Sequence, residues 1–144
     1  MNIGYSRRKM TQQKTDYGEL TTGYEFTPVV LRPDGETVAA YLSAIEGDKR
    51  IYEEDKLVPP MAVAALAMAA MSTGLSLPPG AIHVSQEFQF LSTVSINETL
   101  TSLARVNRRV ERGKFHMLTV GINVLNQKQM TVLTGETSFI LPLS

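Results

Sequence analysis

The chain contains no cysteine. Disulfides, thiolate metal sites and cysteine nucleophiles are excluded together, and the absence fits a reducing compartment. Neither sign of charge is in surplus: fourteen basic residues are balanced by fourteen acidic ones. Nucleic-acid binders usually carry a large basic excess, so the balance argues against that partner. Histidine is scarce, with only His83 and His116, and no pair stands at helical spacing. The acids lack the alternation of an EF-hand loop, so we expect neither a metal nor a cofactor. There is no GxSxG elbow, and RPDG and LPPG are turns rather than phosphate loops. A long hydrophobic run is missing as well. The apolar stretch from Met61 to Leu75 is fifteen residues, short of the roughly 18 to 20 that cross a bilayer. Basic residues near the N-terminus have no apolar stretch behind them, so no secretory signal is read there. These absences point to a cytoplasmic protein with no membrane partner.

What is present is an ordinary globular composition, with 43% hydrophobic residues in a chain of 144, enough for one domain with a sizeable core. Residues 1–16 are polar and read as a flexible leader, and residues 17–144 as a single domain. Tyr24 to Pro33 has a β-rich middle and ends in a Pro-Asp-Gly turn. Val38, Tyr41, Leu42 and Ile45 then fall at the spacing of an amphipathic helix, with Asp34 as its cap and Gly47 as its stop. Pro59-Pro60 opens a helix that is apolar on every side and must be wrapped by something. Four strands follow. In Ile82–Phe90 the alternation puts Ile82, Val84, Phe88 and Phe90 on one face, and His83, Ser85, Glu87 and Gln89 on the other. Alternation from Ala104 to Val110, a turn at Glu111–Lys114 and another at "NQKQ" predict a run of antiparallel hairpins. We therefore expect an α+β protein, a curved antiparallel sheet of about five strands wrapped around one long apolar helix.

Between the two helices lies "EGDKRIYEEDKLVPPM", with Asp48, Glu53, Glu54 and Asp55 crowded in front of the apolar helix. It reads either as an acid/base site or as a solvated loop, and Asp48 alone also suits a turn at a helix end. The cluster Arg105, Arg108, Arg109, Arg112 and Lys114 reads as a solvated strand end or as a landing patch for phosphates or an acidic carrier. Both histidines fit structural roles.

The order of elements, together with "YLSAIEGDKRIYEED", "LVPPMAVAALAM" and "GINVLNQKQMTVLTGETSFILP", resembles the MaoC-like hydratase/dehydratase family of hot-dog proteins, in its amino-terminal-type form. The resemblance runs from about Tyr17 to Pro142. It implies a hot-dog fold and a lyase of fatty acid metabolism, adding water to trans-2-enoyl thioesters or removing it from 3-hydroxyacyl thioesters. The thioester is carried on coenzyme A or acyl carrier protein. In that family an Asp and a His five positions later hold the water, and amides at the start of the central helix polarise the thioester carbonyl. Such chemistry needs a base, an acid and a donor for the developing enolate oxygen.

Here Asp48 stands at the family's Asp, but Glu53 stands five positions on, with Tyr52 beside it. Asp48, Glu53 and Tyr52 are the catalytic candidates by this resemblance. Pro60, Met61, Ala62, His83, Arg108, Arg109 and Arg112 are the substrate-binding candidates. Three readings stay open: a hydratase working through a carboxylate pair, a non-catalytic acyl-binding subunit supporting a dyad-bearing partner, and a thioesterase. The last usually needs a carboxylate on the central helix, which Met61 to Leu75 lacks. A lone sheet would leave an open edge, so the expected minimal unit is a homodimer. A heteromer with a catalytic hot-dog subunit is the alternative.

Overall fold

A computed structural model describes residues 15–142. The first fourteen residues of the expected leader lie outside the described residues. Its last two, Thr15–Asp16, form a short strand, β1, that pairs in parallel with β3 (Leu75–Ser76). The remaining strands are β2 (Val29–Leu31), β4 (Ile82–Phe90), β5 (Leu100–Arg112), β6 (Phe115–Leu125) and β7 (Thr131–Pro142). They make one antiparallel sheet in the order β2-β5-β6-β7-β4. β2 is shorter than the expected strand because Pro28 interrupts it, having no N–H to donate. Residues before the proline still pair with β5: the Phe26 N–H reaches the Ala104 carbonyl at 3.0 Å.

Helix α1 (Gly35–Ala44) begins where expected, with the Asp34 carboxylate accepting from the Thr37 N–H at 2.7 Å. That bond, then the Thr37 side chain, holds the Asp34 carboxyl below the usual carboxylate range. The helix ends one residue earlier than predicted. Glu46, not Gly47, takes the left-handed conformation at φ 54°, and the Gly47 N–H closes the end on the Leu42 carbonyl at 2.9 Å. The stretch read as a loop is instead helix α2 (Lys49–Asp55), capped by Asp48. Lys56 ends it at φ 50°, and residues 56–58 then pair with the segment after β4, the Val58 N–H bonding the Val94 carbonyl at 2.8 Å.

Helix α3 (Pro60–Gly74) is the longest helix and packs against β2, β3 and β5. Ala62, Ala64, Ala67 and Ala70 are buried, their small side chains letting other backbone come close. A leucine at Ala67 would overpack this contact at a cost of about 1–3 kcal/mol. The sheet does not wrap the helix fully. Met61, Ala65, Ala69 and Ser72 stay exposed, at the spacing of one helix face. The described residues of a single chain therefore leave an apolar flank of α3 open.

Two β-bulges reset the faces of the sheet. One in β5 falls between Val106 and Arg108, so Val110 pairs outward opposite Met117 while Arg109 turns inward opposite Leu118. The other, at Val84 in β4, puts His83 opposite inward-facing Phe139. The expected grouping of His83 with Ser85, Glu87 and Gln89 is thereby corrected. His83 shares the inner face with Gln86, Phe88 and Phe90, because one unpaired residue inverts the alternation beyond it.

Candidate functional site

The most apolar hollow lies at the start of α3. About 430 Å³ in volume, it is walled by α2 and α3, the end of β4, the segment after it, and β7. Tyr52, Leu57, Val58, Pro60 and Val63 form one side; Phe90, Leu91, Val94, Val132 and Leu133 form the other. Its side-chain polar groups are the hydroxyls of Tyr52, Ser92 and Thr93. Such a volume with apolar walls and few polar groups suits a flexible hydrocarbon tail.

Of the three catalytic candidates, only Tyr52 reaches this wall. It is half-buried against the core. Asp48 caps α2: its carboxylate accepts from the Arg50 N–H at 3.0 Å and meets the Arg50 guanidinium at 3.4 Å, with the side chain 49% exposed. Glu53 follows Tyr52 by one residue, about 100° around the helix, and is exposed, as are Glu54 and Asp55. The structure therefore does not bring Asp48 and Glu53 together as pocket-lining carboxylates.

At the head of α3, Pro60 lines the pocket while Met61 is 52% exposed and outside its lining. The Ala62 N–H bonds the Pro59 carbonyl at 2.9 Å. With prolines at 59 and 60, the first free donor of the helix is the Met61 amide, which meets no acceptor among the described residues.

The arginines separate. Arg108 and Arg112 are exposed on the outer face. Arg109 is turned inward, where its guanidinium donates to the carbonyls of Tyr17 at 2.6 Å and of Gly18 and Leu20 at 3.3 Å, and lies 5.6 Å from the centre of the Tyr17 ring. It also meets Nδ1 of buried His116 at 3.2 Å, whose Nε2 faces Glu111 at 3.2 Å. Arg109 is thus a clamp on the N-terminal segment rather than an open phosphate contact. His83 is exposed at the sheet edge, its Nε2 2.7 Å from the hydroxyl of fully buried Thr137 and its ring stacked on Phe139 at 5.1 Å.

Sequence reasoning missed the pocket walls after β4. Leu91, Ser92 and Val94 carry no pattern of their own, and only the pairing of residues 56–58 with 94–96 brings them over Tyr52. It also missed an open hollow of about 530 Å³ on the outer face, where the Asn107 amide donates to Glu136 at 3.3 Å and the Asn123 Oδ1 is buried without a partner. Among the described residues, no three acids or histidines gather as metal ligands. No helix among them is long and apolar enough to cross a membrane.

No family model matches the sequence, and no curated protein matches it. Solved structures do. R-hydratase PhaJ1 from Pseudomonas aeruginosa is similar at 22% identity and a TM-score of 0.72, over 89% of this chain and 86% of that one. A MaoC-like dehydratase from Rhodospirillum rubrum is similar at 16% identity and a TM-score of 0.71, over 89% of this chain and 97% of that one. The HadBC (3R-hydroxyacyl-ACP dehydratase) complex from Mycobacterium tuberculosis is similar at 17% identity and a TM-score of 0.67, over 83% of this chain and 96% of that one. Identities this low establish architecture rather than activity. With its five-stranded antiparallel sheet against α3, the chain has the hot-dog fold.

Proposed function

We propose that this chain is a cytoplasmic MaoC-like protein of the (R)-specific enoyl hydratase and 3-hydroxyacyl dehydratase type, binding acyl thioesters of coenzyme A or acyl carrier protein. The observation that carries this is the apolar pocket at the entrance of α3, with Tyr52 in its wall and the open Met61 amide at the same helix end. The pocket takes the acyl chain. The amide faces the thioester carbonyl, where a helix N-terminus stabilises developing negative charge. Asp48, half exposed at the start of α2, stands at the position of the aspartate in the resembled family and orients water. Two copies joined along β4 form the working unit. Thioester hydrolysis is disfavoured because α3 carries no carboxylate.

A second reading is favoured by one observation: the Asp48 carboxylate is engaged by the cap and by Arg50, and Glu53 points to solvent. On that reading the chain binds the acyl group and supports a catalytic hot-dog partner. The likeness to a two-component dehydratase complex supports it. Ultraviolet absorbance of trans-2-enoyl-CoA substrates mixed with the purified chain separates the two. Loss of the conjugated band, abolished in Asp48→Asn, is expected of the hydratase. A flat trace that decays only once a dyad-bearing hot-dog protein is added is expected of the supporting subunit.

A further inference from the structure

The pocket at the head of α3 holds hydroxyls but no group that takes a proton near neutral pH. The chain does hold an imidazole at the far end of β4. We infer that the imidazole completing each pocket is His83 of a second copy, delivered across the open edge of the sheet. This rests on the acyl-thioester reading above and on pairing through β4.

The edge is built for pairing. Among the described residues β4 bonds β7 on one side only, and it carries neither the lysine nor the proline that usually blocks an edge strand. Ile82, Val84 and Phe90 on it, and Leu91 just beyond, are all exposed. The flank of α3 left bare by Met61, Ala65 and Ala69 needs cover as well. Two copies of one strand meeting about a two-fold axis run antiparallel, so position i faces a constant minus i. An axis at Gln86, Glu87 or Phe88, the middle of the regular run beyond the bulge, makes that constant twice its own number. The unpaired residue at Val84 takes one position out of that count, so His83 then faces Phe88, Phe90 or Ser92 of the other copy. Each register sets it on, or within two residues of, the rim formed by Phe90, Leu91, Ser92 and Thr93, about 5 Å away strand to strand.

The bulge at Val84 decides which way the ring points. Read straight through, His83 would lie on the outer face with Ser85. With the bulge it lies on the inner face with Phe90, the side on which the pocket opens. Thr137 and Phe139 hold the ring there, at 2.7 Å and 5.1 Å. An Nε2–H donated to the Thr137 hydroxyl leaves Nδ1 as a free acceptor. As water oxygen bonds to C3 of the 2-enoyl thioester, its proton passes to Nδ1. The imidazolium then returns a proton to C2, the double-bond pair becoming the new C–H bond. One water is added and the imidazole is restored.

Mixed dimers test the transfer between copies. His83→Gln blocks the base, and Thr93→Trp, or Leu91→Trp should the first misfold, blocks the pocket rim. Each alone is expected to lose enoyl-CoA hydration. Re-assembled together, they recover about a quarter of wild-type activity, since half the dimers then carry one intact composite site. Isotope-labelled histidine supplies a readout that needs no turnover, because the chain has only His83 and His116. Label on the rim-blocked chain, mixed with unlabelled His83→Gln chain, is expected to show the His83 signal move when hexanoyl-CoA is added. Mixed dimers that bind hexanoyl-CoA without recovery and without that shift overturn the assignment of His83 and leave the acyl-binding reading standing. A wild-type chain that binds no hexanoyl-CoA removes both. A chain that stays monomeric overturns the inference outright.

Discussion

The two bulges act alike on the backbone and lead to opposite chemistry. Each turns a cationic or titratable side chain from the outer to the inner face of the sheet. In β5 the turned residue is Arg109, whose guanidinium meets three carbonyls, a tyrosine ring and a buried histidine. In β4 the turned residue is His83, held by one hydroxyl and one ring on an exposed edge strand, with no partner for its other nitrogen among the described residues. A polar group whose partners are all internal is part of the fold. One that is oriented yet left incomplete is available to a ligand or a partner.

The largest effect is expected where the group is satisfied. Arg109→Ala leaves the Tyr17, Gly18 and Leu20 carbonyls and the His116 ring without their donor, at a cost of about 2–3 kcal/mol. Urea unfolding should show the loss, and Arg109→Lys should recover only part of it, since an ammonium cannot reach as many acceptors in one plane. A normally stable Arg109→Ala that binds coenzyme A less well would instead make Arg109 a phosphate ligand and erase the contrast.

Next comes the β4 bulge itself. Deleting Val84 removes the extra residue and leaves His83 opposite Phe139 and Ser85 opposite Ser138, so His83 keeps its inward face and its bond to Thr137. About 1 kcal/mol of destabilisation is expected. Hydration, by contrast, should survive the deletion, whereas His83→Gln loses it. A retained His83–Thr137 coupling in the histidine spectrum checks the geometry. Hydration lost in a deletion that keeps this coupling would show that the direction of His83 does not decide turnover.

These bulges are also where the sequence stops being readable. The stripe of α1 and its Asp34 cap, the apolar α3 behind two prolines, and the turns at Gly113 and Asn126 were all legible, because each depends on a periodicity or on a residue with special backbone geometry. α2 was not: "KRIYEED" carries charge around most of its surface and shows no stripe, so only the capping bond of Asp48 and the pairing behind it reveal a helix. A bulge leaves no reliable mark in a strand, and period-two reading continues through it. Arg109 and His83 were singled out as residues, but the face each occupies came only from the pairing register. The pocket was half legible, its Tyr52 and Pro60 side carrying a motif and its Leu91 to Val94 side none.

Asp48 and Asp34 are both exposed caps, and comparing them tests whether Asp48 is anything more. Asparagine caps a helix about as well as aspartate, and alanine costs about 1 kcal/mol. Asp48→Asn should therefore unfold with the wild type while Asp48→Ala falls below it. If enoyl-CoA hydration is lost equally in both variants, the carboxylate itself matters to turnover. If only the alanine variant suffers, Asp48 is a cap and the proton chemistry belongs elsewhere.

The smallest effect is expected at Asp34, where the cap has no chemistry to lose. Its carboxyl titrates lower in the folded chain than its ordinary value of 3.8, because the Thr37 N–H and side chain favour the ionised form. A folded value below the unfolded one means the contribution is fully present above 3.8 and fades as pH falls through the lower, folded value. Asp34→Asn keeps a cap that does not titrate. Its urea midpoint, plotted against pH, should run just beneath the wild type from neutrality downward, and the two curves should meet in acid. Curves that instead diverge in acid would mean the Asp34 carboxyl is destabilised by folding, reversing the sign argued from the Thr37 bond.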